Sequence, residues 1–243
     1  MTVLSGRIAI VTGGGRGLGR AIADLLATQG VNLVVADNGT SPAGDGADPE
    51  VARAAARAIG PRALPFTESI ASPGAAQQLV ELAARRLGGL DILVNAATIR
   101  RAAPLPDLQP GDWEAVIRND LSAAFHMMQA AIAAMHRRGR GGRIVNLLDA
   151  AALDAVPGDA ARAAAGAGLV ALTRVAAHDL AASGIAVNAV ACASDDLAAV
   201  ARLVTALCAA DPEEPNGQIL GVREGRVVRY GAAQTEVVAQ ETA

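Results

Sequence analysis

TGGGRGLG, residues 12 to 19, stands between the short β-branched run 7–12 and the Ala- and Leu-rich stretch 17–29. A strand that passes through glycines straight into a helix opens a βα unit, and each glycine has its own reason to be there. Gly13 permits the tight turn, Gly17 allows close backbone approach to a diphosphate, and Gly19 allows helix and strand to pack closely. The helix N-terminus, with its unpaired N–H groups, then faces the anion. Asp37 ends the next β-branched run, about 20 residues on, where a carboxylate accepts a hydrogen bond from an adenosine ribose 2′-OH. The turn (Gly13, Arg16, Gly17, Leu18, Gly19) together with Asp37 is the candidate nucleotide site. Asp37 repels a 2′-phosphate and favours NAD, although Arg16 is a group with which such a phosphate would pair.

Outward from this unit, short apolar runs keep alternating with longer Ala-rich stretches, the pattern of repeated βα units around a parallel sheet. Strands are predicted at 7–12, 32–37, 63–66, 90–95, 143–148, 185–190 and 218–222, several of them apolar throughout, as strands covered on both faces should be. Helices are predicted at about 17–29, 48–59, 73–87, 112–138, 160–183 and 196–209, with Gly30, Gly60, Gly88, Gly139 and Gly184 where C-caps belong. Seven strands and six helices fill the length as one doubly wound α/β domain over residues 1–230. The Gly-, Asp- and Pro-rich stretch 38–49 reads as a flexible loop, and 231–243 as a polar tail.

Composition narrows the chemistry. All 21 positive charges among the 243 residues are Arg, because the chain contains no Lys. That excludes a Schiff-base lysine, a phosphate-gripping lysine and any step that needs an ammonium. Alanine supplies roughly a quarter of the residues, so the 52% hydrophobic fraction describes close-packed helices more than a bulky core. A net charge of −3 gives no footprint for nucleic acid. Nothing apolar approaches the ~20 residues of a membrane span, and no signal-peptide core precedes Gly13, so a cytoplasmic protein without membrane contact is expected. Cys192, Cys208, His126, His136 and His178 show no metal-ligand spacing, and no metal is expected.

With these elements in place, the chain resembles the short-chain dehydrogenase/reductase (SDR) family over essentially its whole length. The resemblance is carried by TGGGRGLG at 12–19, GGLDILVNAAT at 88–98, GDWEAVIRNDLSAAF at 111–125, GGRIVNLLDAAAL at 141–153 and GIAVNAVACAS at 184–194. It implies a Rossmann-like fold and a nicotinamide cofactor contacted also by Asn95. Within the family the chain looks most like the (3R)-hydroxyacyl-CoA dehydrogenase domain of multifunctional enzymes, on VVADNG at 34–39, ATIRR at 97–101 and PNGQILGVREGRVVRY at 215–230.

The family's catalysis uses a tyrosine, a lysine four residues later, a serine and a helix-borne asparagine. In family register Arg162 stands in the tyrosine slot, Gly166 in the lysine slot, Asp149 in the serine slot and Asp120 in the asparagine slot. A guanidinium, with a pKa above about 12, does not exchange protons usefully near neutrality. Asp149 and Arg162 are expected to form an ion pair, joined by Asp120, that plugs the site. Tyr230, the only tyrosine, lies beyond the last predicted strand and reads as rim packing. Thr98 stands where the family has a bare glycine beside the nicotinamide ribose, Ser69 where it has an acidic adenine contact, and Cys192–Ala193 where it has Pro-Gly. The connection 193–196 leaves only a few residues for the family's substrate lid.

What the resemblance implies is a catalytically silent subunit that assembles with an active SDR paralogue, as a heterotetramer acting on a hydroxyacyl-CoA, or else a homo-oligomer. Helices 112–138 and 160–183 correspond to the family's dimer-forming pair. Arg100–Arg101, Arg137–Arg138–Arg140 and Arg223–Arg226–Arg229 are either solvated charge or contacts for an acidic surface. Two alternatives stay open: an NAD-dependent 3-hydroxyacyl-CoA oxidoreductase with atypical residues, and a dinucleotide-sensing module.

Overall fold

Val, Ile, Leu and Ala runs with both faces covered form the centre of the sheet: β1 (Ile8–Thr12), β2 (Asn32–Ala36), β4 (Ile92–Asn95), β5 (Gly142–Asp149) and β6 (Ile185–Cys192). β3 (Ala63–Phe66) and β7 (Ile219–Arg223) flank them, and the order β3-β2-β1-β4-β5-β6-β7 is parallel throughout. The structure, a computed structural model, describes all residues except 1, 155, 193–195, 211–214, 232–234 and 241–243, with 235–240 described by backbone alone.

The sequence predicts seven strands; among the described residues the sheet has nine. β8 (Arg226–Tyr230) turns back antiparallel on β7 through Glu224 and Gly225, both at positive φ (50° and 69°), the geometry whose twist suits a two-residue hairpin. β9 (Thr235–Gln240) then pairs antiparallel with β8, so the region expected to be a tail contributes an edge strand. The predicted fold class stands, with this antiparallel pair added to the parallel seven.

The helices cover both faces: α1 (Gly17–Thr28), α2 (Glu50–Ile59), α3 (Pro73–Leu87), α4 (Pro110–Val116), α5 (Ala123–Arg138), α6 (Ala160–Leu180) and α7 (Leu197–Ala209). The helix predicted over 112–138 is interrupted by a π-helical turn, Ile117–Ser122, that carries Asp120. Such turns widen a helix locally and often mark sites. By length and mean hydropathy (1.2 over its most apolar window), the Ala160–Ser183 stretch is apolar enough to cross a membrane, contrary to the sequence expectation. It packs as a core helix, burying Ala161, Ala165, Leu169, Thr173 and Leu180.

Far from the crevice described next, Asp91 ties β4 to its neighbours. Only 3% exposed, it accepts from the Ile8 N–H at 2.8 Å and pairs with Arg7 (3.5 Å) and Arg138 (3.4 Å). Asp91→Ala leaves the buried Ile8 donor unpaired, while the two guanidiniums turn to water. The expected loss is about 2 kcal/mol in urea unfolding, and an unchanged midpoint would contradict it.

Candidate functional site

The chain reverses direction across the sheet at β1, whose neighbours are β2 and β4, and a crevice opens beyond the strand ends there. Thr12, the last residue of β1, fixes the exit of β4: its Oγ1 accepts from the Ala96 and Ala97 N–H groups at 3.0 and 3.2 Å. Gly13, at φ +61°, lies so close to this exit that a Cβ would stand 2.9 Å from the Ala96 carbonyl oxygen. At Gly19 a Cβ would come 2.2 Å from the Gly13 oxygen. The glycine turn is thus packed tightly below, while Gly17, at φ +51°, faces open space.

That space is part of a cavity of about 440 Å³, large enough for a small-molecule ligand. Gly13, Arg16, Gly17, Leu18, Gly19 and Asp37 all line it. Asp37 is fixed before any ligand arrives: Oδ2 accepts from Gly15 N–H (3.1 Å) and Oδ1 from Gly39 N–H (2.8 Å). Arg16 Nη2 pairs with Asp37 Oδ1 at 3.4 Å and donates to the Thr40 carbonyl at 2.7 Å. Arg16, the cation expected to meet a 2′-phosphate, is therefore already engaged by the carboxylate that would repel it. Asn95 is not a lining residue: 5% exposed, it donates from Nδ2 to Asn146 Oδ1 at 2.8 Å, and Asn146 donates on to Thr173 at 3.0 Å. It belongs to a buried polar ladder behind the crevice, with its own Oδ1 unpartnered.

The other half of the cavity ends on charges. Asp149 caps the 3-10 turn Ala150–Ala152 by accepting from Ala151 N–H at 2.8 Å, and its Oδ2 accepts a close hydrogen bond from Arg162 Nη2. The expected ion pair is present. Its third member, however, is Asp159, 3% exposed and 3.7 Å from Arg162 Nη1, rather than Asp120. Arg100 closes the row, reaching Asp159 at 3.2 Å. Arg162 is 10% exposed, and burial, followed by repulsion from Arg100, lowers its pKa.

Asp120 turns instead to the exit of β4. It accepts from Thr98 Oγ1 (2.7 Å), the Ile99 N–H (3.0 Å) and Asn119 Nδ2 (2.9 Å). Burial pushes its pKa up; the hydrogen bonds and the charge of Arg162 pull in the opposite direction. Thr98, expected from the resemblance to stand where the family has glycine, thus adds both its methyl and its hydroxyl to the filling.

Gly166 sits one turn along α6 from Arg162, buried against the 3-10 turn. A Cβ there would stand 2.5 Å from the Ala152 Cβ. The space left among Gly166, Arg162, Asp149 and Asp120 is about 20 Å³, room for roughly one water. Cys192 also lines the large cavity, with its thiol pushed up to about 12 by burial, so it stays protonated near neutrality. Tyr230 packs into the core beside Gly221, and the face of its ring carries Arg223 5.4 Å away. The short connection expected at 193–195 lies outside the described residues.

Residues 7–204 match the short chain dehydrogenase family. The chain belongs to the short-chain dehydrogenase/reductase family. A 3-oxoacyl-(acyl-carrier-protein) reductase of Synechocystis sp. is 34% identical over 191 residues, 79% of this chain and 75% of that protein. D-beta-hydroxybutyrate dehydrogenase of Cupriavidus necator is 35% identical over 188 residues, 77% and 70% of the two chains. The crystal structure of a short chain dehydrogenase from Mycobacterium avium superposes with a TM-score of 0.87 at 30% identity, covering 96% of this chain and 88% of that one.

Seen as an SDR, the chain keeps the family's glycine turn at the cavity it would serve. Sequence reasoning missed Asp159 and Arg100, which lie 59 residues apart and meet only in the fold. Ala152, whose methyl closes Gly166, carried no local signal at all.

Proposed function

We propose that this chain is a catalytically silent SDR subunit that works by assembling with an active SDR paralogue, in an oxidoreductase complex acting on hydroxyacyl thioesters. The observation that carries this reading is the Asp149–Arg162 pair set against a sealed Gly166. Proton transfer to a carbonyl needs a group that titrates near the working pH and stands in the substrate's reach. Here the central group is a guanidinium ion-paired with two carboxylates, the neighbouring thiol is held neutral, and no lysine exists anywhere in the chain.

The adenosine half of the cavity fits a nucleotide better than the nicotinamide half does. The glycine turn and the fixed Asp37 carboxylate suit a diphosphate and a ribose, whereas Thr98 and the ion pair occupy the far end. NAD held mainly through its adenosine moiety is the cofactor that follows, and a nucleotide-sensing role is the second reading. The acyl-chain activities named for the two relatives support a hydroxyacyl substrate for the complex. Phe125 on α5 and Val175 on α6, 41% and 58% exposed, leave an apolar side chain uncovered on each helix of the pair implied as the interface.

Express the chain alone and with an SDR paralogue, purify by a tag on this chain, and follow nicotinamide absorbance with 3-hydroxyacyl-CoA substrates. The expected result is no turnover alone and capture of the paralogue with turnover. Turnover by the chain alone that Asp149→Ala abolishes would overturn the proposal in favour of an unorthodox enzyme.

A further inference from the structure

The 38–49 loop after β2, expected to be flexible, is fastened on both sides. Its ends meet through the Asp48 N–H and the Asn38 carbonyl at 3.0 Å, and within it Ser41 Oγ accepts from the Ala43 and Asp45 N–H groups, each at 3.2 Å. Its tip lies against the segment after β4: Arg100 N–H donates to the Pro42 carbonyl at 2.8 Å, and Gly44 sits so near Ile99 that a Cβ would stand 3.0 Å from Cδ1.

Arg101 fastens the seam. Nε donates to the Ala43 carbonyl (2.8 Å), Nη2 to Asp45 (2.7 Å) and Nη1 to Asp112 in the first turn of α4 (2.6 Å). Three partners on two chain segments are satisfied by one planar fork, a geometry that a lysine ammonium on a flexible stem does not reproduce. Asn38, Thr40, Ser41 and Pro42 line one side of the 440 Å³ cavity, and Thr98 and Ile99 line the other. The seam therefore joins two walls of the same cavity.

We propose that Arg101 is a latch: it holds the 38–49 loop against the Ile99–Arg101 segment and so governs entry of nucleotide-sized ligands to the cavity. The idea stands on the cavity walls alone and does not depend on whether the chain is silent. The latch partners reach solvent (Asp45 69% exposed, Asp112 36%), so the device opens locally without unfolding the sheet, and added salt loosens it.

Hydrogen exchange on the full chain, with NADH fluorescence as the entry probe, tests this. In Arg101→Ala the amides of residues 41–45 should exchange about tenfold faster while those of β1 and β4 keep their protection. Arg101→Lys should resemble the alanine variant, and Asp45→Asn, at an exposed loop position, should give a smaller change in a protein that melts as the parent does. NADH should enter Arg101→Ala severalfold faster than the parent. Unchanged exchange in 41–45 overturns the latch. Faster exchange with no change in NADH uptake, including no uptake by either protein, reduces Arg101 to a structural tie and overturns the gate. Neither result bears on capture of a paralogue, which is read separately.

Discussion

Gly166→Lys is expected to destabilise the protein by about 4 kcal/mol or more, lowering Tm by roughly 8–16 °C, and to restore no dehydrogenase activity. The position that the resemblance gives to the family's lysine is sealed: a Cβ alone would stand 2.5 Å from the Ala152 methyl, and about 20 Å³ remains beside the neighbouring charges. Four methylenes and an ammonium have no place there, and the new cation would have to be buried next to the guanidinium of Arg162. Even Gly166→Ala should cost about 1–3 kcal/mol from overpacking. The control lies across the contact. In the Ala152→Gly background the alanine at 166 gains the volume of the missing methyl, and the two substitutions should couple favourably by about 1 kcal/mol in a double-mutant cycle. A Gly166→Ala protein as stable as the parent would mean that the 3-10 turn moves aside freely, and the argument that this pocket is closed would fail with it.

Much of this arrangement is legible in the sequence because it is local. β3 falls on the predicted 63–66 and α3 on the predicted 73–87, since period, capping glycine and the Ser72 cap all lie within one element. What is not legible is long-range or chemically unusual. The β7–β8 hairpin escaped because its turn is Glu-Gly, whereas Asn-Gly or Asp-Gly is the strong signal and Glu at positive φ is uncommon. The π-helical turn escaped because a one-residue widening leaves no trace in composition. Family register places Asp149 and Arg162 together, yet it names the wrong third acid. Asp159, the residue just before α6, reaches Arg162 from three positions earlier, while Asp120 is drawn off by Thr98 and the Ile99 N–H. Of the eight arginines read as either solvated charge or contacts for an acidic surface, four hold carboxylates of this chain: Arg100 holds Asp159, Arg101 holds Asp45 and Asp112, Arg138 holds Asp91, and Arg223 holds Asp154.

Arg162→Met, which keeps the length and loses the charge, should cost about 3 kcal/mol near pH 8 and less at lower pH, with Tm falling by roughly 6–12 °C at the higher pH. The reason lies in what each acid keeps. Asp149 is 41% exposed and retains the Ala151 N–H, so water replaces the guanidinium at little cost. Asp159 retains Arg100. Asp120 is the group left in difficulty: burial already raises its pKa, and Arg162 is one of the influences holding it down. Without that charge the folded-state pKa of Asp120 climbs further above its unfolded value. A carboxyl raised in this way stabilises the fold below its unfolded pKa and loses that contribution as pH rises through the folded one. The deficit of the variant should therefore grow as pH rises above the ordinary carboxylate range, measured as the difference in urea-unfolding free energy from the parent at each pH. A deficit independent of pH would assign the loss to packing of the arginine stem and remove the electrostatic coupling between Arg162 and Asp120. An Arg162→Met protein more stable than the parent at every pH would show instead that desolvation of the buried row outweighs its attraction, as it does in some other buried ion pairs.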